Sequence, residues 1–322
     1  MADYINIRGQ NIEVVASDPA NPTLGQIWYN STSNTLKGEG YAAGSWATGG
    51  NMGTARESLG GAGTQTSALA FGGATTVVVG TTEEYDGATW TSSNPLNTAR
   101  SQIAGAGTQT AGLAFGGYTG SITGATEEYD GNSWVNSNSL NTVRRASGGV
   151  GTQTAGLAFG GRNPPVYITA TEEYDGTSWV TSPGNMNLGR QHFANFGIQT
   201  AALAAGGEVP TTGATEEWNG TSWTNSNSLN TARVGLAGAG IQTAGLAFGG
   251  ATTVNTGATE EYDGTSWTNT TSLSTARVYL KSSGTQTAGL AFGGRLPPGT
   301  AASNATEEWT GAGPVTKTIT AS

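Results

Sequence analysis

Apolar residues along this chain fall in short runs of five to eight positions, cut by Gly pairs, Asp-Gly steps and Ser/Thr/Asn clusters. Nowhere do they recur at 3.6-residue spacing over the ten or more positions that a helix needs. The runs are rich in Thr, Val, Tyr and Trp and alternate with turn residues, which predicts many short strands. An Asp-Gly step before TSW is a hairpin signal, because Gly takes positive φ without a steric penalty.

Self-comparison turns these runs into a repeat. AFGG or a close variant ends at Gly73, Gly117, Gly161, Gly207, Gly250 and Gly294, at spacings of 44, 44, 46, 43 and 44. Glu-Glu-aromatic triplets recur at 83–85, 127–129, 172–174, 216–218, 260–262 and 307–309. A Trp recurs at Trp46, Trp90, Trp134, Trp179, Trp223 and Trp267, and an Arg at Arg56, Arg100, Arg144, Arg190, Arg233 and Arg277. Each unit holds four strand-like segments, and six four-stranded sheets arranged radially predict an all-β, six-bladed propeller of antiparallel blades. The last unit lacks a TSW and the first Trp segment lacks an AFGG, so strand 44–48 is expected to complete the last blade. The alternation Val315, Lys317, Ile319 is a rival for that place, better matched to the first 40 residues. The expected organisation is an N-terminal attachment or hairpin segment over 1–40, the propeller over 41–311 and a C-terminal strand or tail over 312–322.

Composition narrows function. Net charge is −9, with 13 Lys+Arg against 22 Asp+Glu, which argues against a nucleic-acid partner. There is no Cys, so disulfides and thiolate metal sites are excluded. The start, MADYINIRGQ, lacks the basic and apolar regions of a signal peptide, and no apolar stretch approaches 18 residues, so neither secretion nor membrane insertion is expected. No cofactor and no metal are expected.

Order and spacing, with Arg, then Gly-Gly, then Tyr-Asp and Trp, resemble the kelch motif over residues 41 to 310, although the unit is shorter than usual and carries Glu-Glu before the aromatic. The phrasing TQTAGLAFGG, TEEYDGTSW and NTAR resembles kelch-like repeats in structural proteins of tailed, especially marine, bacteriophages. DPANPTLGQIWYNSTSNTLKG resembles segments of phage fibre and virion proteins. The resemblance implies a non-enzymatic virion protein of a tail, neck or fibre, made in the host cytoplasm and present in multiple copies. Its implied partners are other virion proteins and a host surface protein or glycan. The alternatives are a cellular kelch-type protein–protein interaction scaffold and a glycan-active enzyme.

Strand alternation sends the two Glu of each triplet to opposite faces. Six structural pairs are expected, joining Arg56, Arg100, Arg144, Arg190, Arg233 and Arg277 to Glu84, Glu128, Glu173, Glu217, Glu261 and Glu308. The repeat aromatics are read as inter-blade packing and the first strand of each unit as the innermost. There small residues fit converging backbones, with His192, Phe193, Phe196, Tyr279 and Lys281 as exceptions. The single His192 has no Gly-x-Ser-x-Gly partner motif, the Cys and second His of kelch copper-radical oxidases are missing, and six-fold carboxylate pairs speak for architecture; no catalytic residue is assigned. Units differ most between Gly-Gly and Glu-Glu, which marks Tyr118, Arg162, Pro164, Pro165, Tyr167, Arg295, Pro297 and Pro298 as binding-face candidates.

Overall fold

In the computed structural model, which describes residues 12–298 and 301–319, every described regular element is a β-strand. Contacts divide the chain into two units, one of Ser45–Thr310 and one formed by its two ends.

The larger unit is a β-propeller of six four-stranded antiparallel sheets. Blade 1 runs Gly60–Gly63, Ala68–Phe71, Thr82–Tyr85 and Trp90–Ser93, from axis to rim. Blades 2 to 5 repeat it over 104–137, 148–181, 194–226 and 237–270. Blade 6 takes three strands from 281–310, and its outer strand is Ser45–Thr48, paired through Trp309↔Trp46. The inner strands pack side by side around the whole ring, blade 6 against blade 1 included.

Gly-rich inner strands follow from this convergence. A Cβ on Gly105 would stand 2.5 Å from the ring of Phe71 and 2.7 Å from the carbonyl of Gly61 in the neighbouring blade. Blade 4 departs from the pattern and compensates for it. Its second strand ends in Ala205 where the other five end in Phe, and Phe196 of its inner strand fills the space, 6.4 Å from Trp267.

Two side-chain contacts at every junction, and a third at four of the six, lock each blade to its neighbour. The indole of Trp134 donates to Thr82 Oγ1 of the preceding blade at 3.0 Å, and the other five repeat Trp do likewise, Trp46 to Thr259 at 3.2 Å. Each TQT Gln reaches back to two backbone carbonyls, as Gln109 does to Ala68 and Tyr85. Each repeat Tyr donates its hydroxyl to the second Glu of the preceding blade, as in Tyr129 to Glu84 and Tyr85 to Glu308. Trp218 and Trp309 have no hydroxyl, and their indoles turn instead to the carbonyls of Gln199 and Gln286.

The smaller unit is a four-stranded sheet of Glu13–Val15, Ile27–Asn30, Thr35–Ala42 and Gly313–Thr318, the first pair parallel. Asp18 accepts from Trp28, Asn30 and Lys37, and these donors hold its carboxyl down at about 2.

Trp46 lies edge-on to Phe248 at 4.8 Å and beside Trp309 at 5.3 Å, the same surroundings that Trp134 finds at Phe71. Trp46→Ala is therefore expected to cost about 3–5 kcal/mol, as much as Trp134→Ala. Denaturant unfolding midpoints of the two variants measure this, and a loss under about 1 kcal/mol for Trp46→Ala would deny the closure its weight.

Candidate functional site

Each repeat Arg is fully buried and pairs with the first Glu of its own blade's triplet. The six pairs are Arg56–Glu83, Arg100–Glu127, Arg144–Glu172, Arg190–Glu216, Arg233–Glu260 and Arg277–Glu307, at 2.6–3.1 Å. The expected pairing with Glu84, Glu128, Glu173, Glu217, Glu261 and Glu308 is thereby corrected. Those residues lie on the opposite face of the strand, toward the next blade; Glu84, Glu128, Glu217 and Glu308 accept its Tyr hydroxyl, while Glu173 and Glu261 meet blades that carry Trp. Burial pushes Glu261 up. Each first Glu also accepts backbone N–H groups of the segment entering its blade, as Glu127 does from Asn97 and Thr98. Burial lowers Arg56 and Arg190 to about 10, with the nearby Glu offsetting part of the effect, so both guanidinium groups remain charged at neutral pH.

Two residues beyond each anchored Arg, the chain turns left-handed. Ser58, Gln102, Ala146, His192, Gly235 and Tyr279 have φ between 51° and 68°. Their backbones form a closed circle in which each N–H donates to the carbonyl one blade back. The links run Gln102 to Ser58, Ala146 to Gln102, His192 to Ala146, Gly235 to His192, Tyr279 to Gly235 and Ser58 to Tyr279, at 2.7–3.1 Å. Only Gly235 is the residue type that this conformation favours. A Cβ there would meet Tyr279, whose ring lies 4.7 Å from that of His192.

The residue between Arg and the left-handed turn faces the residue after Gly-Gly in an antiparallel bridge. These bridges are Glu57↔Ala74, Ser101↔Tyr118, Arg145↔Arg162, Gln191↔Glu208, Val234↔Ala251 and Val278↔Arg295. Three of the sequence candidates, Tyr118, Arg162 and Arg295, thus occupy equivalent places around one mouth of the ring. Tyr167 joins them through the hairpin Arg162–Asn163/Val166–Tyr167, whose turn is Pro164-Pro165, and the guanidinium of Arg162 sits 4.8 Å over the Tyr167 ring. Pro164, Pro165, Pro297 and Pro298 are exposed on the surrounding loops. Sequence reasoning passed over Glu57, Arg145 and Glu208; the signal for Glu57 and Arg145 was a charged, unrepeated residue directly after the repeat Arg.

Charge at this mouth is unbalanced. Glu57 pairs with Arg295 at 3.2 Å, and Glu208 accepts from Gln191 at 2.8 Å. Arg145 lies 5.5 Å over Tyr118, and neither it nor Arg162 forms an ion pair among the described residues. Burial, reinforced by Arg145 and Arg295, pushes His192 down to about 3, so its imidazole is neutral at physiological pH. Among the described residues, no cluster of His, Asp or Glu is arranged to hold a metal ion.

No protein family model matches the chain, and no curated protein matches it. Among solved structures, that of YjhT superposes with a TM-score of 0.68 at 14% identity, over 79% of this chain and 95% of that one. The shared architecture agrees with the propeller described above. It also corrects the expected function. A likeness to YjhT does not support the role of a non-enzymatic bacteriophage structural protein, which is withdrawn. What remains are the alternatives, an interaction scaffold and a glycan-active enzyme.

A neutral His192 predicts that its ring carbon shifts stay flat in NMR titration from pH 8 to 5. Its folded pKa lies below the unfolded value of about 6.5, so acidification through that range protonates only the unfolded chain and destabilises the fold. His192→Gln should lose less stability than the parent between pH 6.5 and 4. A His192 titration midpoint near 6.5 would contradict this.

Proposed function

We propose that this propeller is a binding module of the kelch interaction type whose mouth captures a carboxylate-rich partner segment. The observation that carries the reading is Arg145 and Arg162, two half-buried guanidinium groups without carboxylate partners, in a chain whose net charge is −9. Local positive charge against an acidic background selects by electrostatic focusing and steers encounter. Tyr118 and Tyr167 stack against these cations, and Arg and Tyr are the types that dominate binding hot spots. A planar fork engages a carboxylate with two parallel hydrogen bonds.

The module is tested by fluorescence anisotropy with a labelled oligo-glutamate peptide at low salt. The parent binds it and the affinity falls as salt rises, while the double variant Arg145→Ala/Arg162→Ala loses at least about tenfold, on the order of 1.4 kcal/mol, with its unfolding midpoint kept. Equal affinity of the variant, or a preference for oligo-lysine, overturns the reading.

Glu57 favours a second reading, glycan hydrolysis. Burial raises its carboxyl while Arg295 lowers it, and a raised carboxyl facing the mouth is a candidate general acid of glycosidase chemistry, with Glu208, which also acts on the Tyr279 hydroxyl, as the other carboxylate of the mouth. Release of reducing ends from a polysaccharide panel, abolished in Glu57→Gln, would support that reading over the first.

A further inference from the structure

Beneath the left-handed circle lies a cavity of about 60 Å³, lined in part by Gln102, His192, Asn195, Tyr279 and Lys281. Lys281 is foreign to its position. It opens the inner strand of blade 6, where the equivalent places in the other blades hold Gly60, Ala104, Gly148, Ala194 and Ala237. Its stem packs over blade 1, since a Cβ on Gly61 would come within 2.8 Å of Lys281 Cγ.

The ammonium is uncompensated. Burial alone pushes its pKa down, to about 8, with no carboxylate and no hydrogen-bond acceptor offsetting it. No carboxylate lines the cavity; Glu57 and Glu208 act on it only from the mouth. His192 is neutral, the Tyr279 hydroxyl is pushed up by burial, Glu57 and Arg295 offset one another as an ion pair, Glu208 accepts from Gln191, and Arg145 adds positive potential from the mouth. Gln102, whose Oε1 is buried without a partner, also lines this space. Lys281 is half-buried, and a partly desolvated charge without a partner is less stable than one in water until something of opposite sign pairs with it. The cavity is well above the roughly 10–15 Å³ that a single water needs, which admits a halide or a carboxylate group.

We propose that this cavity is a binding site for a monovalent anion held by the Lys281 ammonium. The site takes either a free halide or the carboxylate end of a larger acid reaching in from the mouth.

The test uses the full chain in the sodium salt of a bulky sulfonate, HEPES, against sodium chloride, and separately sodium acetate, at fixed ionic strength. NMR of the Lys281 side chain is expected to show its pKa rising by about one unit in chloride or acetate, with a saturable rise in Tm. A response to chloride alone assigns a halide site, and a response to acetate assigns carboxylate capture; either supports the proposal. Lys281→Met should be insensitive to both salts, whereas Arg162→Ala, outside the cavity, should keep the response, which separates this site from the acidic-partner surface. Identical Lys281 titration in all three salts, or a Lys281→Met variant with the parent's chloride response, overturns it.

Discussion

Everything in the propeller hangs on a buried guanidinium held by one carboxylate. In each blade the Arg reaches the carbonyls at the Gly-Gly turn and before the third strand, as Arg100 does at Gly116 and Ala125, and meets the first Glu, which also catches the entering backbone. One ion pair therefore ties three separate stretches of a blade. Desolvating both charges makes such a pair a poor source of net stability compared with apolar packing. What it supplies is definition: the geometry satisfies the carboxylate on several sides and permits one path for the chain.

Structure and site are coupled through that path. The residue after the anchored Arg faces the mouth, and the next enters the hydrogen-bonded circle at the axis, so Arg144 places Arg145 and Ala146, and Arg277 places Val278 and Tyr279. The anchor is constant around the ring while the residues it presents vary. A repeated scaffold can thus carry an asymmetric surface, with Glu57, Arg145, Arg162, Glu208 and Arg295 in equivalent but chemically different places.

Much of the fold was legible because the repeat is visible in the letters. Gly-Gly, Glu-Glu-aromatic and Trp recur at a nearly fixed period, and four strand-length runs per period leave few architectures. The choice of Glu was not legible. Alternation separates Glu127 from Glu128, but only the path of the entering segment decides which of them the Arg meets. The Gln of TQT looked like turn filler, since its carbonyl partners lie in another blade. The circle at the axis left no composition signal, because Ser, Gln, Ala, His and Tyr hold a left-handed conformation there through backbone bonds rather than intrinsic preference. The mouth was half legible: loop divergence pointed to Tyr118, Arg162 and Arg295, yet their partners across the bridges come from the far side of the inner strands.

The most direct measurement of the central interaction is a pair of double-mutant cycles in blade 3, Arg144→Met with Glu172→Gln and Arg144→Met with Glu173→Gln. The buried-pair account predicts a coupling of several kcal/mol, on the order of 3, for the first cycle and near zero for the second. Equal couplings, or a larger one at Glu173, would contradict it.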